Sequence, residues 1–300
     1  MYRIKKFDVH ASEIAEFLNK KLMGEDFILK SPRYLLTPES LERLPRLKEE
    51  EEGKILLIAK QPIPEIDYAG FIGSDRPELE LAYVLREFFA TLPIHQIHPT
   101  AVVSKEAKIG RNVMIGAYAV VGPEAVIGDN ARILNNVVLN GPVSIGKFCV
   151  IKDGAVIGSE GWGFLKDGEG NLFHPPQLGR IIIEDRVWIG ANSTIERAML
   201  DDTVIAADVK IDDLVHIGGN SHIGTKSEIT AGSIIASNVK IGKRVRIAPN
   251  AVLRENITVG DNVLVGQGAV VIDNLAADKV YVGNPARFLR ENVSRGEEDE

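Results

Sequence analysis

Residues 109–132 read IGRNVM-IGAYAV-VGPEAV-IGDNAR, four six-residue units with Ile109, Ile115, Val121 and Ile127 in phase. The same beat starts near Ile97 and resumes at Ile183 and Ile189. It then runs from Ile205 through Ile211, Ile217, Ile223, Ile229, Ile235, Ile241, Ile247, Leu253, Val259 and Val265 to Val271. A short, fixed period is the mark of a solenoid. Neither a helical period nor two-residue alternation accounts for it. A chain that makes a short strand, turns a corner and repeats does. Three such units close a triangular coil, with the phased aliphatic pointing inward. The small or polar residue that follows sits at the corner, where a side chain would crowd or φ must be unusual. Coils stacked as parallel strands about 4.8 Å apart, roughly nine of them, give a prism about 40 Å tall.

Three hundred residues leave room for two domains. A net charge of −7 and the acidic ending RGEEDE argue against nucleic acid as the main partner. The single cysteine, Cys149, cannot form an intramolecular disulfide, and its phase assigns it to packing. The N-terminus MYRIKKFDVHASEI has no apolar signal core, and no run is long enough to cross a bilayer. The expected location is the cytoplasm.

Residues 1–95 lack the repeat and read as a small α/β domain, a candidate for nucleotide or substrate contact. Ser12 is placed to cap a helix over EIAEFLNKKL, KILLIAK reads as a buried strand, and Ser74 or Asp75 is placed to cap a helix over PELELAYVLREFFATL. The charge run KEEEEGK between them reads as a solvated loop. Residues 96–277 carry the β-helix, interrupted at about 159–180 by SEGWGFLKDGEGNLFHPPQLGR. An insertion of this length is usually functional or disordered. Trp162, Phe164 and Phe173 favour an ordered loop, with a turn at Asp167-Gly168. Residues 278–300 are expected to leave the prism, form a short helix and end in a disordered acidic tail.

There is no Walker loop, no GxGxxG and no zinc-type Cys/His spacing. Asp201, Asp202, Asp212 and Asp213 read as corner and strand-end residues, so no metal is expected. The six histidines are His10, His95, His98, His174, His216 and His222. His216 and His222, in DDLVHIGGNSHIG, each precede an inward aliphatic. That phase puts them near corners on adjacent faces of one coil, where they could act together only across a subunit interface. Taken singly, each is more readily an inert surface residue.

The string PQLGRIIIEDRVWIGANSTIERAMLDDTVIAADVKIDDLVHIGGNSHIG, the preceding GSEGWGF and the opening HPTAVV resemble the UDP-3-O-(3-hydroxyacyl)glucosamine N-acyltransferases of lipid A and lipopolysaccharide biosynthesis. Those are hexapeptide-repeat, left-handed parallel β-helix proteins, and the left hand is implied by this resemblance alone. The likeness covers about residues 25–270. The LGR…IGAN-x-TI-x-R…LDDT phrase is far more specific than the hexads.

The resemblance implies a homotrimer with active sites between adjacent prisms. It implies an acyl thioester, acyl-CoA or acyl carrier protein, as co-substrate with no permanently bound cofactor. A histidine takes a proton from the amine of a nucleotide-linked amino sugar as that amine attacks the thioester. Imidazole suits this because it ordinarily titrates near neutrality. Gly218 and Gly219 are candidates for a backbone oxyanion site. Asn220, Trp162, Phe164, Ser31 and Tyr34 are candidates for substrate contact, and Arg287 for donor contact.

Three departures shape the expectation. The family's catalytic histidine position holds Gly219, which leaves His216 as the substitute base, with His222 and His174 behind it. An aromatic residue and an asparagine that hold uracil are replaced by Ile28 and Ser31 in ILKSPRY. The ending YVGNPARFL is similar to acetyl-CoA-dependent sugar acetyltransferases. An N-acyltransferase is therefore the leading reading. The alternatives are a sugar acetyltransferase of surface-polysaccharide synthesis and a non-catalytic, sugar-nucleotide-binding or scaffold paralogue.

Overall fold

A computed structural model describes residues 3–4, 8–43, 54–91 and 96–292. Most of the 48–54 charge run, His95 and the acidic tail lie outside the described residues. The chain divides into two compact units, Met1–Ile94 and His95–Glu300.

The first unit is built on a four-stranded mixed sheet. Its order is Leu22–Gly24, Gly70–Gly73, Leu56–Ala59, Leu35–Leu36. Leu56, Leu57 and Ile58 are completely buried, as KILLIAK predicts. Both helix starts differ from the sequence reading. The first helix, Ala11–Phe17, begins after His10, whose N–H donates to Glu13 Oε2 at 2.9 Å. The Ser12 hydroxyl is spent instead on Asp26 Oδ2, 2.9 Å away. The second helix is Pro77–Val84. It widens into a π-turn at Leu85–Phe89 and gives way to a strand at Ala90–Thr91, so it is shorter than the apolar pattern suggests. Ser74 Oγ accepts the Arg76 N–H at 3.0 Å, a turn-forming bond just ahead of the helix.

The second unit is the left-handed parallel β-helix. Its strands form three sheets of eight, ten and nine members. Strands eighteen residues apart pair in parallel, as Ile211, Ile229 and Ile247 do. The phased aliphatics form one continuous buried core from Val113 to Leu275. Cys149 belongs to that core, and burial pushes its thiol up to about 11. The corner rule is refined in one respect. The residue after the aliphatic is small for lack of space: a Cβ on Gly116 would lie 2.7 Å from the Asn135 amide nitrogen. The left-handed backbone falls two residues further on, usually at asparagine, as at Asn112, Asn130, Asn220 and Asn238. Asparagine tolerates that conformation better than most residues.

The short C-terminal helix is not formed. Lys279–Val282 joins the ten-stranded sheet beside Leu264–Val265, and Arg287–Glu291 folds back on it antiparallel. The alternating KVYV pattern extends the sheet. The turn at Gly283, with φ +95°, and Pro285 leave no uninterrupted stretch for a helix. Lys279 Nζ lies 4.6 Å from the Phe288 ring centre and 2.9 Å from Glu291 Oε1, which ties the two arms together.

Two interruptions break the eighteen-residue register. Val156 pairs with Thr194, 38 residues on, so twenty extra residues leave the coil there. Thr194 in turn pairs with His216, 22 residues on, so four more leave in the next coil. Both exits lie after a strand of the nine-stranded sheet and before one of the eight-stranded sheet, so they share one edge of the prism.

Ile229 is fully buried between Ile211 and Ile247. Truncation to alanine should destabilise the β-helix by about 2–5 kcal/mol, read as a lower midpoint in chemical denaturation.

Candidate active site

A cavity of about 300 Å³ opens on that edge. The twenty-residue insertion supplies Gly161, Trp162, Gly163 and Gln177 to its wall. The strand Thr194–Arg197 supplies Arg197, the four-residue insertion supplies Ala198 through Asp201, and the next two corners of the prism supply Gly219 with Asn220 and Ser237 with Asn238. A rigid scaffold with loops gathered at one place is a common setting for binding and chemistry.

The longer insertion is ordered by its own contacts. Leu165–Lys166 and Leu172–Phe173 form a two-stranded hairpin. The Asp167 carboxylate accepts the Asn171 side-chain amide at 3.1 Å and the Asn171 and Glu169 backbone N–H groups at 2.9 Å each, and these bonds, the side-chain one foremost, hold the carboxyl below the usual range. Trp162 and Phe164 lie 4.9 Å apart between ring centres, and Phe164 stands 4.9 Å from His174. Trp162 is 83% exposed, so its indole is free for a ligand or a neighbouring molecule.

The shorter insertion is fastened to the corner above it. The Thr203 hydroxyl donates to the Glu196 carbonyl at 2.9 Å, and the same oxygen accepts the Asn220 N–H at 2.9 Å. The Asn220 side chain donates to Asn238 Oδ1 at 3.0 Å, which continues the link one coil further.

His216 lies in the nine-stranded sheet beside Thr194, and its Nδ1 is 2.8 Å from Thr194 Oγ1. Its Nε2 lies 3.9 Å from Glu196 Oε2. Burial raises the Glu196 carboxyl above its ordinary range, opposed by the charge of His216 and by the Gly219 N–H. On the neighbouring strand Glu160 pairs with Arg197 at 3.0 Å. His174 is held on that side by Gly161 O at 3.0 Å, with its Nδ1 3.7 Å from Glu160 Oε2.

The other candidates separate. His222 lies exposed in the eight-stranded sheet, on a different face from His216. The proposed oxyanion donors are already engaged: the Gly218 N–H donates to Ile235 O at 2.8 Å, and the buried Gly219 N–H faces Glu196. Sheet pairing claims the first, and the carboxylate beneath claims the second. In the first unit, Tyr34 is buried in the core, so its ring packs and presents no face to a ligand. Ser31 Oγ accepts the Arg33 N–H at 3.3 Å, capping the turn Pro32–Tyr34. Arg287 sits on the C-terminal hairpin, exposed, with Nη1 on the Ala286 carbonyl at 3.0 Å. Among the described residues, no group of three or more His, Cys, Asp and Glu side chains is arranged to hold a metal ion.

Sequence reasoning missed Thr194, Glu196, Arg197 and the entire second insertion. The signal was present: Ile195 and Ile205 stand ten residues apart where the beat demands six.

Comparison with known proteins agrees with this architecture. Two family models match, bacterial transferase hexapeptide (six repeats) at residues 124–159 and 238–273, and hexapeptide repeat of succinyl-transferase at 106–140 and 180–196. A UDP-3-O-acylglucosamine N-acyltransferase of Pseudomonas syringae pv. tomato is 30% identical over 260 residues, covering 74% of this chain and 71% of that one. The chain belongs to this hexapeptide-repeat acyltransferase family. A Coxiella burnetii protein of the same name (strain RSA 493 / Nine Mile phase I) is 39% identical over 157 residues, 46% of each chain. The match thus spans about half the length of that curated relative. Among solved structures, a UDP-N-acetylglucosamine acyltransferase from Bacteroides fragilis 9343 superposes with a TM-score of 0.58 at 26% identity, covering 66% of this chain and 75% of that one. The Francisella novicida UDP-N-acetylglucosamine acyltransferase gives 0.60 at 23% identity over 66% and 71%, a likeness of fold.

Space at Gly219 is decisive for this member. A Cβ there would lie 2.5 Å from the Arg197 carbonyl oxygen and 2.9 Å from its carbon. A histidine at this position requires the second insertion to move. Gly219→Ala should lower stability by about 1–3 kcal/mol, the usual cost of overpacking, and Gly219→His should lose at least as much. Thermal denaturation of both variants checks this.

Proposed function

We propose that the protein transfers an acyl group from a thioester to the amine of a nucleotide-linked amino sugar, with His216 as general base. The observation that carries this reading is the Thr194–His216–Glu196 cluster beside the Gly219 corner of the cavity. With Nδ1–H donating to Thr194 Oγ1, the Nε2 lone pair of His216 accepts a proton. The amine attacks the thioester carbonyl and gives up a proton to Nε2. The tetrahedral intermediate then collapses, and the imidazolium returns that proton to the departing thiolate. An amide and a free thiol result. The thioester is supplied by acyl-CoA or acyl carrier protein, both made in the cytoplasm, and no permanently bound cofactor is needed. Among the described residues no helix is long and apolar enough to cross a membrane.

We infer that the working unit is a homotrimer. The outward residues of the nine-stranded sheet are Val102, Val120, Val138, Val156, Thr194, His216, Ile234, Val252 and Val270. At the same positions the ten-stranded sheet mixes Met114, Val150, Trp188 and Leu264 with Arg132, Lys210, Glu228 and Arg246. A β-branched apolar column on both sides of His216 suits burial against another copy, and closed cyclic symmetry is the usual arrangement of soluble homo-oligomers. The cavity then lies where one prism faces the next.

His216→Ala should lower kcat/KM by about 10²–10⁴-fold with acyl-CoA or acyl carrier protein thioesters and UDP-linked amino sugars. Unchanged turnover in the variant would remove His216 as base. Absence of turnover by the wild type with every thioester and acceptor would favour the non-catalytic reading that Gly219 suggests. Separately, Ile234→Glu with Val252→Glu should shift the sedimenting species from trimer to monomer, and a monomeric wild type would refute the assembly.

A further inference from the structure

The structure assigns Glu196 as a residue that acts through His216, its carboxylate standing as counter-ion to the charge the imidazole gains on accepting a proton. This rests on the reading of His216 as base and adds a second residue to that site. Glu196 sits two residues after Thr194 on the strand beside His216, so one strand supplies a contact to each imidazole nitrogen. Thr194 Oγ1 holds Nδ1 at 2.8 Å, and Glu196 Oε2 stands 3.9 Å from Nε2.

The carboxylate is confined on its remaining sides. The Gly219 N–H is directed at it from the corner above. Gly161 of the long insertion lies against it so closely that a Cβ there would be 2.8 Å from Oε2. The Glu196 backbone carbonyl is pinned by the Thr203 hydroxyl at 2.9 Å. The carboxylate thus has the long insertion on one side and, on another, the glycine that replaces the family's histidine. Gly219 has a role here beyond absence. Without a Cβ it lets the Arg197 carbonyl approach, and the strand carrying Glu196 keeps its place beside His216.

A carboxylate 3.9 Å from Nε2 is a counter-ion for the charge that His216 gains on accepting a proton. The other charged groups facing the pair are Arg197 and Glu160, which neutralise one another at 3.0 Å, His174 beyond Glu160, and Asp201 at the cavity wall. Among the described residues, Glu196 is the carboxylate paired with His216.

Burial holds the Glu196 carboxyl above its ordinary range. Its contribution to stability is therefore largest at low pH and is lost as pH rises through the raised value, so at neutral pH the ionised group is a burden on the fold. A residue kept at such a site for structure alone would weaken the protein when replaced. Glu196→Gln should instead leave the melting temperature at pH 7 unchanged or raised, while kcat/KM falls by at least about tenfold, short of the 10²–10⁴ expected for loss of the base itself. The acid limb of the kcat/KM profile should move to lower pH in Glu196→Gln and return in part with Glu196→Asp. A uniform loss at every pH with no movement of the limb overturns the proposal.

One readout is independent of turnover. The ¹³C titration of the Glu196 carboxyl should move to higher pH in His216→Gln, because the cation that favours its ionised form is gone. An unmoved titration overturns the Glu196 assignment alone. Full turnover in His216→Ala overturns the base assignment, whichever way the titration falls.

Discussion

Stacking of parallel strands at an eighteen-residue interval is the constraint on which the rest of the second unit depends. Each inward aliphatic touches the residue one coil before it and one coil after it, and nothing else in the chain can substitute for those neighbours. The same interval governs the outer surface. Any residue that precedes an inward aliphatic is placed beside its counterparts above and below. His216 is flanked by Thr194 and Ile234 for this reason and for no chemical one. Chemistry enters because a histidine and a threonine occupy two successive places in an otherwise apolar column.

The two departures from the interval turn a uniform rod into a molecule with an address. Either insertion alone would make a surface loop. Placed on the same edge in consecutive coils, they enclose a cavity with the corners above them. The strand between them, Thr194–Arg197, brings Arg197 to the cavity wall and places the Thr194 hydroxyl and the Glu196 carboxylate next to His216. Strand geometry sets the spacing of these groups. The resulting site is half scaffold and half loop, which suits a reaction that needs a fixed base and a substrate of varied shape.

Most of the fold was legible because its cause is local and repeated. One aliphatic per six residues states the inward direction, and the break after Ile157 states where the long insertion lies. The shorter slip between Ile195 and Ile205 was equally visible but easily passed over, since DDTV resembles one more turn of the pattern. What sequence could not show were choices among competing local bonds. Ser12 could cap a helix or meet Asp26, and only the packing of the chain at Asp26 decides it. KVYVGNPARFL could coil or extend, and the open edge of the ten-stranded sheet decides that. His216 was found by phase. Glu196 was missed because its meaning depends on Gly161 and Gly219, which are distant in sequence and meet only in the folded prism.

The register also has a consequence for how the chain reaches this state. Most pairings in the prism join segments eighteen residues apart, so a coil can dock as soon as it leaves the ribosome, with no need of the C-terminal end. The long insertion stretches three such links from 18 to 38 residues, and closing a link of twice the length costs only about 0.6 kcal/mol in chain entropy. A coil edge is therefore a place where new sequence can accumulate while the vectorial growth of the rod is barely slowed. The cavity stands where that tolerance was used twice.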